Sequence, residues 1–361
     1  MTVAFYISGH GFGHASRSIE VINTLLDRRP GTRVIIRSEV APWLVTRTVR
    51  AGVTPEPAPC DTGVVQFDSL SLDAAATLSR ARAFMSTFHA RVAAEAAWLR
   101  QVGASLVVAD LPPLGIAAAR AAGLPAVALG NFTWDWIYSG YDGSADLVEQ
   151  IGDIYRQATV ALRLPMWGGF ATMSKAIDLP FVARQSTRDP IDVRDALHLP
   201  RHEKLVLVSF GGYGLDGLAV DALRQFVGYR ILLPGDIDEA AMYAGGLRYE
   251  DLVRAVDVVV TKPGYGIISE CLANHTALLY TSRGHFVEYD VLVAAMPRFL
   301  RAAFIDHADL FAGRWRTHLD ALLAQPAPPE QPATNGAAAA AARILELTGD
   351  QKVKSKGLIN S

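Results

Sequence analysis

The sequence predicts an α/β protein made of two parallel-sheet halves in succession. Three observations carry that prediction. Apolar runs of strand length alternate with amphipathic stretches of helical period from the first residues onward, the order that builds parallel sheets. A polar, proline-broken segment from Arg184 to Pro200 interrupts the alternation, and a second β-α series begins at Lys204. In each half one strand opens onto a glycine-rich turn that runs straight into a helix, after Ile7 and after Thr261.

The elements follow in order. Val3-Ala4-Phe5-Tyr6-Ile7 reads as a strand, Ser8 to Arg17 as a turn, and Ile19, Ile22, Leu25 and Leu26 as the apolar face of a helix. Gly9, Gly11 and Gly13 let backbone approach a ligand, and the helix start behind them offers unpaired N–H groups to an anion. His10 and His14 share that turn, and each can exchange a proton near neutral pH. The spacing matches neither the dinucleotide fingerprint Gly-x-Gly-x-x-Gly nor a Gly-Lys-Ser/Thr phosphate loop, so hydride transfer and P-loop hydrolysis lose support.

Arg33 to Arg37 is a second strand, Trp43-Leu44-Val45 begins a helical stretch, and Thr54 to Pro59 reads as a proline-rich break. Asp73 to Val102 reads as one long helix packed through Leu78, Met85, Phe88, Val92 and Leu99. Ser105 to Asp110 is a buried strand ending in a carboxylate, followed by a Leu111-Pro112-Pro113 turn, a helix from Ile116 to Ala122 and a strand from Ala126 to Leu129. Ligands gather at the carboxyl ends of strands in such sheets, so Asp110 reads either as an imidazole's partner or as the cap of its turn. Asn131, Trp134, Asp135 and Trp136 mix aromatic area with polar groups, which suits an acceptor-binding wall or a packed lid over the core. Strands from Val160 to Leu164 and Ala176 to Leu179 complete the first sheet.

In the second half, Lys204 to Phe210 is a strand leading to the turn Gly211-Gly212-Tyr213-Gly214; a helix carries Leu218, Ala222, Leu223 and Phe226, and Tyr229 to Leu233 is the next strand. A helix over Tyr249 to Ala255 precedes the buried strand Asp257 to Thr261, whose turn contains Lys262, Gly264, Tyr265 and Gly266 before Ser269 and Glu270. That turn is the better phosphate seat, because glycines, helix N–H groups and a lysine converge on it. Glu270 suits a ribose diol or, alternatively, complements the helix dipole. After the strand Leu278-Leu279-Tyr280, the loop from Ser282 to Asp290 holds Arg283, His285 and Glu288. Asp236 and Asp238 read as a helix start, so no metal site is assigned. Pro326 to Ala342 is low-complexity loop entering a final helix, and a polar tail from Lys352 is expected to fray.

Composition bounds the function. A chain of 361 residues has room for two ordinary domains, and 34 basic against 36 acidic residues leave a formal charge of −2. No global field therefore draws it to nucleic acid or an anionic membrane. Cys60 and Cys271 are the only cysteines, which argues against a disulfide framework or a cysteine zinc site. The N-terminus has no signal-peptide pattern and no apolar run reaches the ~18 residues of a membrane span, so a soluble, cytoplasmic protein is expected.

Four motifs in order, Gly9-His10-Gly11-Phe12-Gly13-His14, Val107-Val108-Ala109-Asp110, Ser209-Phe210-Gly211-Gly212 and Thr261 to Gly266 with Ser269-Glu270, resemble the GT-B glycosyltransferases. Within them the chain is similar to the peptidoglycan N-acetylglucosaminyltransferase and to plant and bacterial UDP-sugar transferases. Through His10 to Ala15 and Asn131 to Trp136 it also resembles the glycosyltransferase-like N-terminal part of plant arabinokinases, although no kinase half follows. The resemblance implies two Rossmann-like domains facing across a cleft: an acceptor-binding domain over 1–183, a nucleotide-sugar-binding domain over 184–325, and a terminal segment over 326–361.

It further implies an inverting, metal-independent transfer from a nucleoside-diphosphate sugar, a UDP-sugar first, to a small-molecule acceptor, with no other cofactor. His14 takes the place of the family's N-terminal-loop histidine and Asp110 that of its carboxylate partner, with His10 assisting or contacting the donor. Donor contacts fall on Gly11, Gly13, Gly211, Gly212, Tyr213, Lys262, Gly264, Tyr265, Gly266, Ser269, Glu270, Arg283, His285 and Glu288. The Asp-Gln pair of plant enzymes is replaced by Glu288-Tyr289-Asp290, so the donor sugar is not named. A sugar-nucleotide epimerase or hydrolase shares the fold, but its N-terminal loop, resembling Gly-Thr-Arg-Pro-Glu, is missing. A non-catalytic sugar-nucleotide binder is the other alternative.

Overall fold

The computed structural model describes residues 1–50, 52–211 and 215–349. The first sheet is formed by β1 (Thr2–Ile7), β2 (Arg33–Ser38), β3 (Val53–Pro57), β4 (Leu106–Asp110), β5 (Ala126–Gly130), β6 (Val160–Arg163) and β7 (Ala176–Asp178). Its order is β3-β2-β1-β4-β5-β6-β7, and every pairing is parallel. The second sheet takes β8 (Lys204–Val208), β9 (Tyr229–Leu232), β10 (Val258–Thr261), β11 (Ala277–Tyr280) and β12 (Ala302–Phe304), ordered β12-β11-β10-β8-β9 and again parallel. Central strands such as β1, β4 and β10 are unbroken apolar runs because helices cover both faces.

Strand order reverses between β1 and β4 in the first sheet and between β8 and β10 in the second, and in an open α/β sheet the crevice outside such a switch point is where ligands bind. Register places Ile7 beside Asp110, so the His10–His14 turn and the Asp110 carboxylate leave the sheet side by side.

Three sequence expectations change. The stretch from Thr54 to Pro59 is not simply a break, because its first part belongs to β3, an edge strand on which Pro55 and Pro57 cost no central ladder bond. The helix expected over Asp73 to Val102 is two helices, Ala74–Ser86 and Phe88–Gln101. Thr87 divides them: its φ of −109° and ψ of 8° leave the helical region, and its hydroxyl bonds back to the Phe84 carbonyl. The segment between the halves holds a short helix, Pro190–Ala196, with Asp189 capping the Ile191 N–H and proline at the first turn.

The last helix, Gly336–Leu347, returns to the first half and packs on the helix Phe12–Arg28. Its small residues Ala337, Ala340 and Ala341 share a core cluster with Ile19 and Ile22. Gly336 allows the approach, since a Cβ there would stand 2.2 Å from the Pro180 carbonyl oxygen. Ile344 is fully buried in that cluster. Ile344→Ala is therefore expected to cost about 2–5 kcal/mol of stability, read as a lower denaturant midpoint at unchanged slope.

Candidate functional site

The turn after β1 uses Gly11 at a φ of 73° to cap the helix Phe12–Arg28, which puts His14 in the helix's first turn. His14, Arg17 and Ser18 are spaced i, i+3 and i+4, so one helix face carries all three. That face meets Asp110. His14 Nδ1 lies 2.8 Å from Asp110 Oδ1, while Arg17 Nε and the Ser18 hydroxyl each donate to Oδ2 at 2.7 Å. Arg17 Nη2 also donates to Oδ1, and Nη1 donates to the Asn131 side-chain oxygen at 2.6 Å.

Asp110 is wholly buried, which pushes its pKa up, yet the Arg17 guanidinium and then His14 outweigh burial and bring it down to about 2. Arg17 Nη2 also lies 3.0 Å from His14 Nδ1, and because an ionised carboxylate only accepts, the tautomer that bonds Asp110 is the one with its proton on Nδ1. Nε2 is then left with its lone pair. His14 lines the cavity, with Phe132 edge-on at 5.4 Å and Trp134 stacked at 6.3 Å.

His10 differs. Burial first, and then the charges of His14, Arg283 and Lys262, push its pKa down to about 3, so it is neutral at physiological pH. Its Nε2 is 2.9 Å from Gln66 Nε2. Asp61, which the sequence did not single out, accepts from the Ser8 hydroxyl and from Trp134 Nε1, both at 3.0 Å. Burial raises its pKa to about 6 against the pull of His14.

Across the gap, the helix Tyr265–Asn274 begins at Gly264 with no side chain capping its first N–H groups. Gly266 sits against the opposite turn: a Cβ there would stand 3.5 Å from Gly13 Cα. Lys262 lies at the same mouth, its pKa lowered to about 7 by burial and then by Arg283. Arg283 is buried and donates to Glu288 at 3.0 Å, and Asn131 reaches the other Glu288 oxygen at 3.5 Å. Polar contacts thus run unbroken from Asp110 through Arg17, Asn131 and Glu288 to Arg283, from one half to the other.

One cavity of about 560 Å³ collects these groups. Of the predicted positions it is lined by His10, Gly11, Gly13, His14, Asn131 and Trp134 from the first half. From the second it takes Gly211, Lys262, Gly264, Tyr265, Gly266, Glu270, Arg283 and Glu288. Five predicted residues stay off its wall, Asp110 because it is wholly buried against His14 and Arg17. On the helix Trp134–Ser139 the 100° step that turns Trp134 and Ile137 inward turns Asp135 and Trp136 away. Asp135 caps the Trp136 N–H, and Trp136 lies against Gly168. The Ser269 hydroxyl is spent on the Gly266 carbonyl at 2.9 Å, and His285 is exposed. Gly212 and Tyr213, like the tail from Lys352, lie outside the described residues.

Glu270 lines the cavity but already holds a partner. Arg184 Nε donates to its Oε1 at 2.6 Å, and burial pushes the Glu270 pKa up against that arginine. Asp238 caps the helix Glu239–Ala244 while Asp236 pairs with Arg224, the helix start the sequence implies. Among the described residues no group of three or more His, Cys, Asp or Glu is placed to hold a metal, and no helix is long and apolar enough to cross a membrane.

Two parallel sheets whose switch points close on one cavity define the GT-B fold of glycosyltransferases, and this chain has it. The calicheamicin glycosyltransferase CalG4 superposes with a TM-score of 0.61 at 18% identity, over 97% of this chain and 99% of that one. UGT2 of Phytolacca americana, solved with UDP-2fluoro-glucose and pterostilbene, gives 0.58 at 11% identity over 96% and 94%. MurG of Acinetobacter baumannii gives 0.51 at 14% identity over 97% and 99%. In sequence, the L-arabinokinase of Arabidopsis thaliana is 27% identical over 340 residues. These are 89% of this chain and 32% of that protein, so the chain spans about a third of the curated relative it matches. No protein-family model matches the chain.

Proposed function

We propose that the protein is an inverting glycosyltransferase that moves a sugar from a nucleoside-diphosphate sugar, UDP-linked first, to a small-molecule acceptor, with His14 as general base. The observation that carries this reading is the His14–Asp110 pair, whose imidazole lines a cavity shared with the uncapped helix start at Gly264. In the step proposed, His14 Nε2 takes the proton of an acceptor hydroxyl as that oxygen bonds to the anomeric carbon. The bond from that carbon to the phosphate oxygen breaks on the opposite face, and the diphosphate leaves with the electron pair. Asp110 holds the imidazole in the right tautomer and balances the charge it gains.

The leaving diphosphate gathers negative charge, and the helix N-terminus with Lys262 and Arg283 supplies positive potential from the protein itself, which supports a metal-independent reaction. His10 is a poor candidate for the base, because its depressed pKa leaves it little affinity for a proton. The neighbour UGT2, solved with UDP-2fluoro-glucose, supports a nucleoside-diphosphate donor. Apolar lining from Phe12, Phe132, Trp134 and Ile137 supports an acceptor with an aromatic or apolar face. We place the division between an acceptor-binding and a donor-binding half at residue 184, and a cytoplasmic location belongs to the same proposal.

The test is nucleotide release. With UDP-glucose or dTDP-glucose and a panel of phenolic and sugar acceptors, free nucleotide diphosphate is expected to form only when an acceptor is present, with EDTA making no difference. Release of free sugar or an epimer from donor alone would favour the epimerase or hydrolase reading, and tight donor binding without turnover would favour a binder.

A further inference from the structure

Among the described residues, four buried side-chain polar atoms have no hydrogen-bond partner: Gln66 Oε1, Tyr141 OH, Arg283 Nε and Thr281 Oγ1. Residues carrying the first three line the same cavity. Leaving a buried polar group unpaired is costly, and a native protein tolerates several at one place chiefly where a ligand completes them.

The three belong to one neighbourhood. Gln66 is bonded to His10, and His10 lies within electrostatic reach of Lys262 and Arg283. Tyr141 and Arg283 perturb each other's charge, and Glu288 acts on both. Each is also firmly placed. Gln66 lies on a strap from the first half that bridges to Leu72 and crosses to the second half, where the Ser69 hydroxyl bonds the Phe210 carbonyl at 2.9 Å and Leu70 enters the core. Arg283 stacks on Phe286 at 3.6 Å, and Phe286 packs in the same cluster as Tyr141.

We infer that Gln66 and Tyr141, contributed by the first half, select the donor's sugar together with Arg283, and that this sugar is a neutral pyranose presenting free hydroxyls. The chemistry of the unpaired atoms decides the class. Gln66 Oε1 only accepts, Arg283 Nε only donates, and a tyrosine hydroxyl does either. A sugar hydroxyl answers all three, whereas a uronate's carboxylate offers nothing to Gln66 Oε1 and would enter beside Glu288, the carboxylate that already takes the Arg283 Nη1 donor. This inference rests on the nucleotide-sugar reading above and adds the residues that read the ring.

Calorimetric titration of UDP, dTDP, UDP-glucose, UDP-galactose, dTDP-glucose and UDP-glucuronate into the wild type, Tyr141→Phe and Gln66→Leu tests it. A neutral sugar nucleotide is expected to bind more tightly than its bare nucleotide. Each substitution should weaken that sugar nucleotide about 10-fold and leave the bare nucleotide within about 2-fold, which also reports that the variant is folded. Three outcomes overturn the inference: no advantage of any neutral sugar nucleotide over bare nucleotide, equal losses for both, or UDP-glucuronate as the tightest ligand. Failure of the wild type to bind either nucleotide overturns the transferase reading itself.

Discussion

His14→Ala is expected to lower kcat/KM for sugar transfer by about 10²–10⁴, with nucleotide affinity unchanged within about 2-fold. The split follows from position. His14 reaches the cavity from the first half, whereas the groups proposed to hold the diphosphate, the Gly264 helix start and Lys262, come from the second. Removing the imidazole leaves that seat intact and deletes only the acceptor's proton sink, so the loss should fall on kcat. Single-turnover rates with saturating donor separate this from a binding defect. Equal rates for wild type and variant would remove His14 from the chemistry and direct attention to Asp61, a buried carboxyl bonded to Trp134 Nε1.

Much of this site was legible in the sequence, and the physical reason is local. A strand end, a glycine turn and a helix start are contiguous in the chain, so β1 to His14 and β10 to Glu270 announce themselves through period and turn chemistry. Asp110 is legible because it ends a buried strand. Arg17 was not singled out, although its spacing from His14 was on view, because an arginine in a helix reads as a solvated residue until the strand it faces is known. Asp61, Gln66 and Tyr141 lie outside any motif, and only the folded chain brings them to the cavity region. Asp135 and Trp136 suit a wall or a packed lid equally in the sequence, because a run of aromatic and polar residues does not reveal which way a helix will turn them. The partner that holds Glu270, Arg184, comes from the polar segment between the halves, where composition carries no contact information.

Arg17→Met is expected to destabilise the protein by about 3–5 kcal/mol at neutral pH and to reverse the contribution of Asp110 to acid response. In the wild type the Asp110 pKa of about 2 lies below the ordinary carboxylate value, so its stabilisation is present above about pH 4 and is lost as pH falls towards 2. Without the guanidinium, burial of a fully enclosed carboxyl meets only His14 and Ser18. The folded pKa then rises above the unfolded value, so the contribution of Asp110 is greatest in acid and declines as pH increases through that raised pKa. Chemical denaturation from pH 3 to 8 reads the difference between variant and wild type, and that difference should shrink in acid. Adding Asp110→Asn to the variant should restore part of the loss, because the uncompensated charge is removed along with its need for a partner. A destabilisation that stays constant across this range would show that Arg17 acts by packing over Tyr265, 5.5 Å from its guanidinium carbon, and not by neutralising the carboxylate that holds His14.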